Sequence, residues 1–142
     1  MKQALKLAQT AFDAGEVPVG ACLVYDNVCI GSGYNRTIID NNPCAHAEIN
    51  AILAAVKYVG NYRLNNAVLY VTLEPCLMCL GAIIQARVAR VVYAAKDTRV
   101  GVFSQNKAKA VLRDSNHHFA IDAGVLATDA SKLLQEFFLT KR

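Results

Sequence analysis

His46 and Glu48 stand two residues apart in the stretch CAHAEINA, and Cys76 and Cys79 stand three apart directly behind Pro75 in EPCLMC. One imidazole and two thiolates suit Zn²⁺, and three protein ligands leave the fourth tetrahedral corner for water. Zinc brings the pKa of such a water from about 16 to about 7, and a neighbouring carboxylate can then move protons. The chemistry implied is hydrolysis. His46, Cys76 and Cys79 would hold the metal, and Glu48 would be the general acid and base. Singly, each residue has an ordinary use as a helix cap, a redox pair or a partner of the helix dipole. H-x-E followed by P-C-x-x-C is a far more specific combination. One structural rival stays open: Cys44 as fourth ligand of a closed Cys₃His zinc, although such a site has no use for Glu48.

Elements must bring these residues together. Residues two apart on a regular helix point in different directions, so His46 and Glu48 have to occupy a first turn, where the entering chain is still extended. Pro43 disfavours helix at the residue before it, which keeps the chain approaching Cys44 extended. The alanine- and isoleucine-rich run Ala45 to Val59, closed by Gly60, supplies that helix. Cys76 to Gln85 reads as another, with Pro75 where a helix best tolerates proline. The free amides and dipole at its start favour thiolate. Between the two helices Ala67 to Thr72 is dense in β-formers.

The flanking chain completes an alternating pattern. Met1 to Ala14 is an amphipathic helix, and Val19 to Tyr25 and Val28 to Tyr34 form a hairpin turning at Asp26-Asn27. Residues 35–43 are a polar loop. Arg90 to Ala94 is a strand, and a helix at Ser104 to Leu112, a strand at Phe119 to Asp122 and a helix at Asp129 to Thr140 follow. Strand-helix-strand-helix-strand in the middle implies a sheet that is parallel at least in part, covered by helices in three layers.

A chain of 142 residues, 54% hydrophobic and 18% charged, suits one α/β domain over residues 1–142 and excludes disorder. No apolar run is long enough to cross a bilayer and no leader pattern opens the chain, so no membrane partner and a cytoplasmic location are expected. The net charge of +4 permits a polyanionic partner. Cys22 and Cys29 flank the hairpin turn. With Tyr25 opposite Val28, Cys22 would face Gly31 and Cys29 would face Val24, so both read as buried free thiols rather than a disulfide.

H-x-E with P-C-x-x-C is a signature of zinc deaminases, and the likeness extends further. GEVPVGACLV, NPCAHAEINA, NYRLNNAVLYVTLEPCLMCLGAI, RVVYAAKD and LLQEFF together resemble the bacterial tRNA-specific adenosine deaminases of the cytidine/deoxycytidylate deaminase superfamily. The resemblance implies an α/β/α cytidine-deaminase-like fold with a central five-stranded mixed sheet, one Zn²⁺ per subunit and a homodimer. It implies hydrolysis of adenosine to inosine at the wobble position of a tRNA anticodon stem-loop, chiefly in an arginine tRNA. His46, Cys76 and Cys79 match the zinc ligands and Glu48 the proton shuttle. Asn35 matches a contact to the target nucleoside, Val17, Pro18 and Val19 a pocket wall, and Leu73 and Asp97 positions near the RNA. Arg36, Lys96, Arg99, Lys107, Lys141 and Arg142 are candidate phosphate partners. Cys44 stands where the family carries threonine. A free-base guanine or a cytosine deaminase shares the zinc motif, and a non-catalytic zinc-stabilised binding module is the alternative from another class.

Overall fold

The turn at Asp26 and Asn27 takes positive φ at both residues, 49° and 61°, as a type I′ hairpin requires. It joins β1 (Gly20–Tyr25) to β2 (Val28–Tyr34). The computed structural model describes residues 1–142. Ahead of the hairpin runs α1 (Lys2–Asp13). After it come α2 (Ala47–Val59), β3 (Val68–Leu73), α3 (Leu77–Gln85), β4 (Arg90–Ala95), α4 (Ala108–Asp114), β5 (Ala120–Ala123) and α5 (Ala127–Thr140).

The strands form one five-stranded sheet in the order β2-β1-β3-β4-β5. β1 is antiparallel to β2 and to β3, whereas β3, β4 and β5 run parallel. α1 and α5 pack on one face and α2 and α3 on the other, giving the three layers and the mixed sheet expected. The main core lies between the sheet and α2 and α3, around Leu23, Leu69, Val71, Val91 and Ile83. A smaller cluster, Leu80, Ile84, Val102 and Ala108, seats α4 beside α3.

Small residues let two helices press directly on the sheet. α2 turns Ala47, Ala51 and Ala55 inward, all buried. A Cβ at Gly33 would come within 2.8 Å of the Ala47 carbonyl oxygen, and one at Gly31 within 2.5 Å of that of Ala51. α1 does the same with Ala4 and Ala8 over Gly20, where an added Cβ would lie 2.1 Å from the Ala4 carbonyl oxygen. Contacts this close leave α2 little freedom to slide, and so fix where its first residues emerge.

Three expectations need correction. An irregularity between Leu23 and Val24 shifts the hairpin register, so Cys22 pairs with Ser32 rather than Gly31, while Cys29 does face Val24. Cys29 is exposed, because β2 is an edge strand, and only Cys22 is buried. The fourth helix begins at Ala108 instead of Ser104. The amides of Phe103 and Ser104 are taken by the Glu74 carboxylate, and residues 103–107 run in turns ahead of the helix.

Candidate metal centre and the pocket around it

α2 and α3 both run opposite to β3, one entering it and one leaving it, so their N-termini meet at the same end of the sheet. His46 is the residue before α2, with extended φ −74° and ψ 156°. Cys76 is its counterpart before α3, with φ −86° and ψ 177°. Neither side chain caps its own helix. Glu48 and Cys79 lie in the first turns that follow. Extended backbone at His46 followed by helix at Ala47 is what allows residues 46 and 48 to serve one place.

The Nδ1 atom of His46 lies 3.6 Å from the Sγ of Cys76 and 3.6 Å from the Sγ of Cys79. All the ligand atoms of this trio lie within 4.8 Å of one another. A tetrahedral zinc with Zn–S of about 2.3 Å and Zn–N of about 2.05 Å separates nitrogen from sulfur by about 3.6 Å. Donor types and spacing therefore both fit Zn²⁺. Cys44 is exposed and stands outside the group, which leaves the site with three protein ligands. The proton balance fits as well. The Cys79 thiol donating to Cys76, aided by His46 and opposed by burial, holds the Cys76 thiol down to about 4. Cys79 itself is raised by the same hydrogen bond and by burial, and His46 is raised chiefly by its bond to Cys76. Such a cluster gives up its protons to a cation.

Glu48 is 4% exposed, and burial pushes its carboxyl up to about 7 although its own backbone N–H and His46 pull the other way. It lines a pocket with His46, Cys76, Val17, Val19, Asn35, Leu73 and Asp97. Cys79 is fully buried behind this surface. Pro18 is also fully buried and does not line the pocket, so of the three wall residues the resemblance names, only Val17 and Val19 face it. Asn35 also serves the backbone, its Oδ1 accepting the Ala47 N–H at 2.8 Å. It thus supplies to the start of α2 the cap that His46 does not.

Sequence reasoning missed the parts that shape the pocket mouth. Thr37, Glu74 and Val100 also line it. Glu74 is 2% exposed. Its Oε1 accepts the N–H groups of Phe103 at 2.8 Å and Ser104 at 2.7 Å. Its Oε2 accepts the Asp97 N–H at 2.9 Å and the Ser104 hydroxyl at 2.8 Å. Glu16, 1% exposed, gathers the opposite loop: Oε1 accepts the N–H groups of Ile38 and Ile39, each at 2.8 Å, and Oε2 the Thr37 hydroxyl at 3.2 Å. The one available signal was an acid placed beside a proline-bearing apolar stretch, in GEVPV and in LEPC. Of the basic residues, Arg36 is tied to Asp40 at 2.9 Å and to the Tyr34 hydroxyl at 2.8 Å. Lys96 and Arg99 line an adjoining cavity that shares Val17, Leu73 and Asp97 with the pocket.

Comparison with known proteins agrees with this geometry. Residues 1–95 match the family model of the cytidine and deoxycytidylate deaminase zinc-binding region. A tRNA-specific adenosine deaminase of Buchnera aphidicola subsp. Baizongia pistaciae is 44% identical over 142 residues, spanning 100% of this chain and 88% of the relative. One from Haemophilus influenzae is 44% identical over 144 residues, spanning 100% and 83%. A solved structure from work on A-to-I editing by tRNA:A34 deaminases superimposes with a TM-score of 0.89 at 38% identity, covering 94% of this chain and 96% of that one. The helix-start trio, the pocket carboxyl and these full-length likenesses converge, and the chain belongs to the zinc-binding cytidine and deoxycytidylate deaminase family, within its tRNA-specific adenosine deaminases.

Proposed function

We propose that residues 1–142 act as one zinc-dependent hydrolase domain that converts adenosine to inosine at the wobble position of a tRNA anticodon, chiefly that of an arginine tRNA. One observation carries this reading: the buried carboxyl of Glu48 shares its pocket with His46 and Cys76, two of the three members of the metal trio. His46, Cys76 and Cys79 hold the zinc, which when bound lowers the pKa of a water toward 7. Glu48 takes a proton from the attacking water and gives it to the purine ring nitrogen next to C6. Oxygen adds to C6 as a hydroxyl, whose remaining proton Glu48 takes and passes to the exocyclic nitrogen; the bond from C6 to that nitrogen breaks, ammonia leaves and the C6 carbonyl of inosine forms. Val17 and Val19 press on the base, and Asn35, Leu73 and Asp97 meet the nucleoside and its neighbours.

An anticodon loop presents bases already partly splayed, which lowers the cost of extruding one into such a pocket. Lys96 and Arg99 stand beside the pocket, where phosphates of that loop would pass. A homodimer is supported by Leu53 and Leu77, exposed at 59% each on the neighbouring helices α2 and α3. A cytoplasmic location goes with a tRNA substrate, and no helix is long and apolar enough to cross a membrane.

The test is to incubate purified, zinc-loaded protein with anticodon stem-loops carrying adenosine, cytosine or guanine at the wobble position, and to analyse the digested nucleosides. Inosine from the adenosine loop alone is expected. Deamination of the cytosine loop or of the guanine loop, or no turnover at all, would overturn the proposal.

A further inference from the structure

We propose that Glu74 is a positioning residue for this reaction, holding the loop 97–104 so that Asp97 and Val100 form a fixed wall of the substrate pocket. The inference rests on the function proposed above only for its kinetic readout. Glu74 follows β3 directly and precedes the ligand Cys76 by two residues, yet its carboxylate turns away to collect donors from across the pocket. It accepts three backbone N–H groups and one hydroxyl, all from residues 97, 103 and 104. The loop closes around it tightly. A Cβ at Gly101 would lie 2.5 Å from the Glu74 carboxyl carbon and 2.4 Å from the Asp97 carbonyl oxygen. Asp97 is oriented in turn by its own loop, its Oδ1 accepting the N–H groups of Arg99 at 2.9 Å and Val100 at 3.2 Å. One buried carboxylate thus sets the course of the wall.

The donors around the two buried glutamates make the proposal discriminating. Glu74→Gln preserves shape but converts one acceptor oxygen into an NH₂ donor. Placed at Oε1 it would oppose two N–H groups. At Oε2 the Ser104 hydroxyl can turn round and accept, but the Asp97 N–H cannot. At least one part-buried N–H loses its acceptor, and the one lost at least cost, that of Asp97, belongs to the pocket wall itself. In Glu16→Gln an NH₂ at Oε2 meets only the Thr37 hydroxyl, which can accept it, so every contact survives. Both substitutions remove the same charge, and they differ only in the partners left behind.

The experiment compares Glu74→Gln, Glu16→Gln and the unsubstituted zinc-loaded chain by stem-loop kinetics, zinc content and amide hydrogen exchange without substrate. Loss of one such hydrogen bond is worth about a tenfold change in an equilibrium. Glu74→Gln should therefore raise KM by about that factor with kcat little changed, keep its zinc, and exchange faster at residues 97, 103 and 104. Glu16→Gln, which keeps every donor partnered, should match the unsubstituted chain in zinc content and in exchange at residues 97, 103 and 104. Unaltered KM and exchange in Glu74→Gln would overturn the proposal, as would lost zinc with a collapse of kcat, which would make Glu74 a support of the metal helix. If the unsubstituted chain deaminates no stem-loop, exchange alone decides: faster amides in Glu74→Gln uphold the positioning role and unchanged ones reject it. Should Glu74→Gln fail to fold, Gly101→Ala displaces the loop from the other side. It should give the same rise in KM and in exchange, and its silence would count against the role.

Discussion

The Nδ1 of His46 lies 3.6 Å from the Sγ of Cys76, across a separation of 30 residues. The span between them is α2, β3 and the turn into α3, so this one distance reports that both helices begin at the same end of the sheet. Zinc bound there ties the N-terminal half of the molecule to the helix that follows β3.

Removing the metal should loosen that tie. With free zinc at one hundred times its dissociation constant, the bound ion contributes about 2.7 kcal/mol. Chelation should lower the unfolding temperature by about 5–10 °C in a chain of this size. Cys79→Ser, which weakens the buried ligand, should show both the lower temperature and substoichiometric zinc. Calorimetry paired with metal analysis reads the two together, and a Cys79→Ser protein with full zinc would remove Cys79 from the ligand set.

Glu48→Ala separates chemistry from assembly. The carboxyl belongs to the pocket and not to the metal trio, so the variant should keep its zinc and its fold. Turnover should fall by about 10²–10⁴, the usual worth of a positioned general acid and base, while the stem-loop still binds. A variant that turns over at the original rate would return Glu48 to the role of a helix-dipole partner.

Asn35 does two things that two substitutions can separate. Asn35→Ala loses the acceptor for the Ala47 N–H and should destabilise the protein by about 0.5–2 kcal/mol, as lost helix caps do. Asn35→Asp keeps an acceptor in place and should recover that stability in urea unfolding. It alters the hydrogen-bonding and charge of the group facing the pocket, so KM for the stem-loop should stay high. Full recovery of KM in Asn35→Asp would reduce Asn35 to a cap.

The free thiols should divide by burial. Burial, with Cys29 second, pushes the Cys22 thiol from 9.0 up to about 12, whereas Cys29 and Cys44 are exposed. Alkylation of the native protein at pH 8 should modify Cys29 and Cys44 well before Cys22, as peptide mass spectrometry would show. Because the folded state holds the Cys22 proton more tightly than the unfolded chain, its contribution is intact below pH 9 and is lost as the pH rises from 9 toward 12. The urea midpoint of Cys22→Ala should fall less over that interval than that of the unsubstituted chain.

Local chemistry made the metal-bearing helices legible. Pro43, Gly60 and Pro75 punctuate them, and the spacing of His46 with Glu48 forces a helix start at that point. The hairpin turn was readable for the same reason, since Asp26-Asn27 accepts left-handed backbone. Its register was not, because a bulge between Leu23 and Val24 leaves no mark in an unbroken apolar run. The start of α4 was misplaced because residues 103–107 form turns within a loop anchored on Glu74, 29 residues before Phe103, a contact no local pattern announces. Glu16 and Glu74 were invisible as anchors, since what a carboxylate accepts depends on loops that reach it only after folding. Pro18 shows a limit of carrying a role over by motif: its neighbours face the pocket while it is buried away from it.

Gly20, Gly31 and Gly33 bring helix backbone into contact with strand backbone under α1 and α2, where even a methyl group has no room. At the far end every residue of β5 is exposed, and α5 buries only Ala130 and Phe137. Tolerance to sequence change is therefore graded along the chain, scarce around the reacting centre and plentiful from β5 onward. A lineage adapting to a different nucleic acid would have most of its latitude in that C-terminal surface, and could redraw it without touching the chemistry.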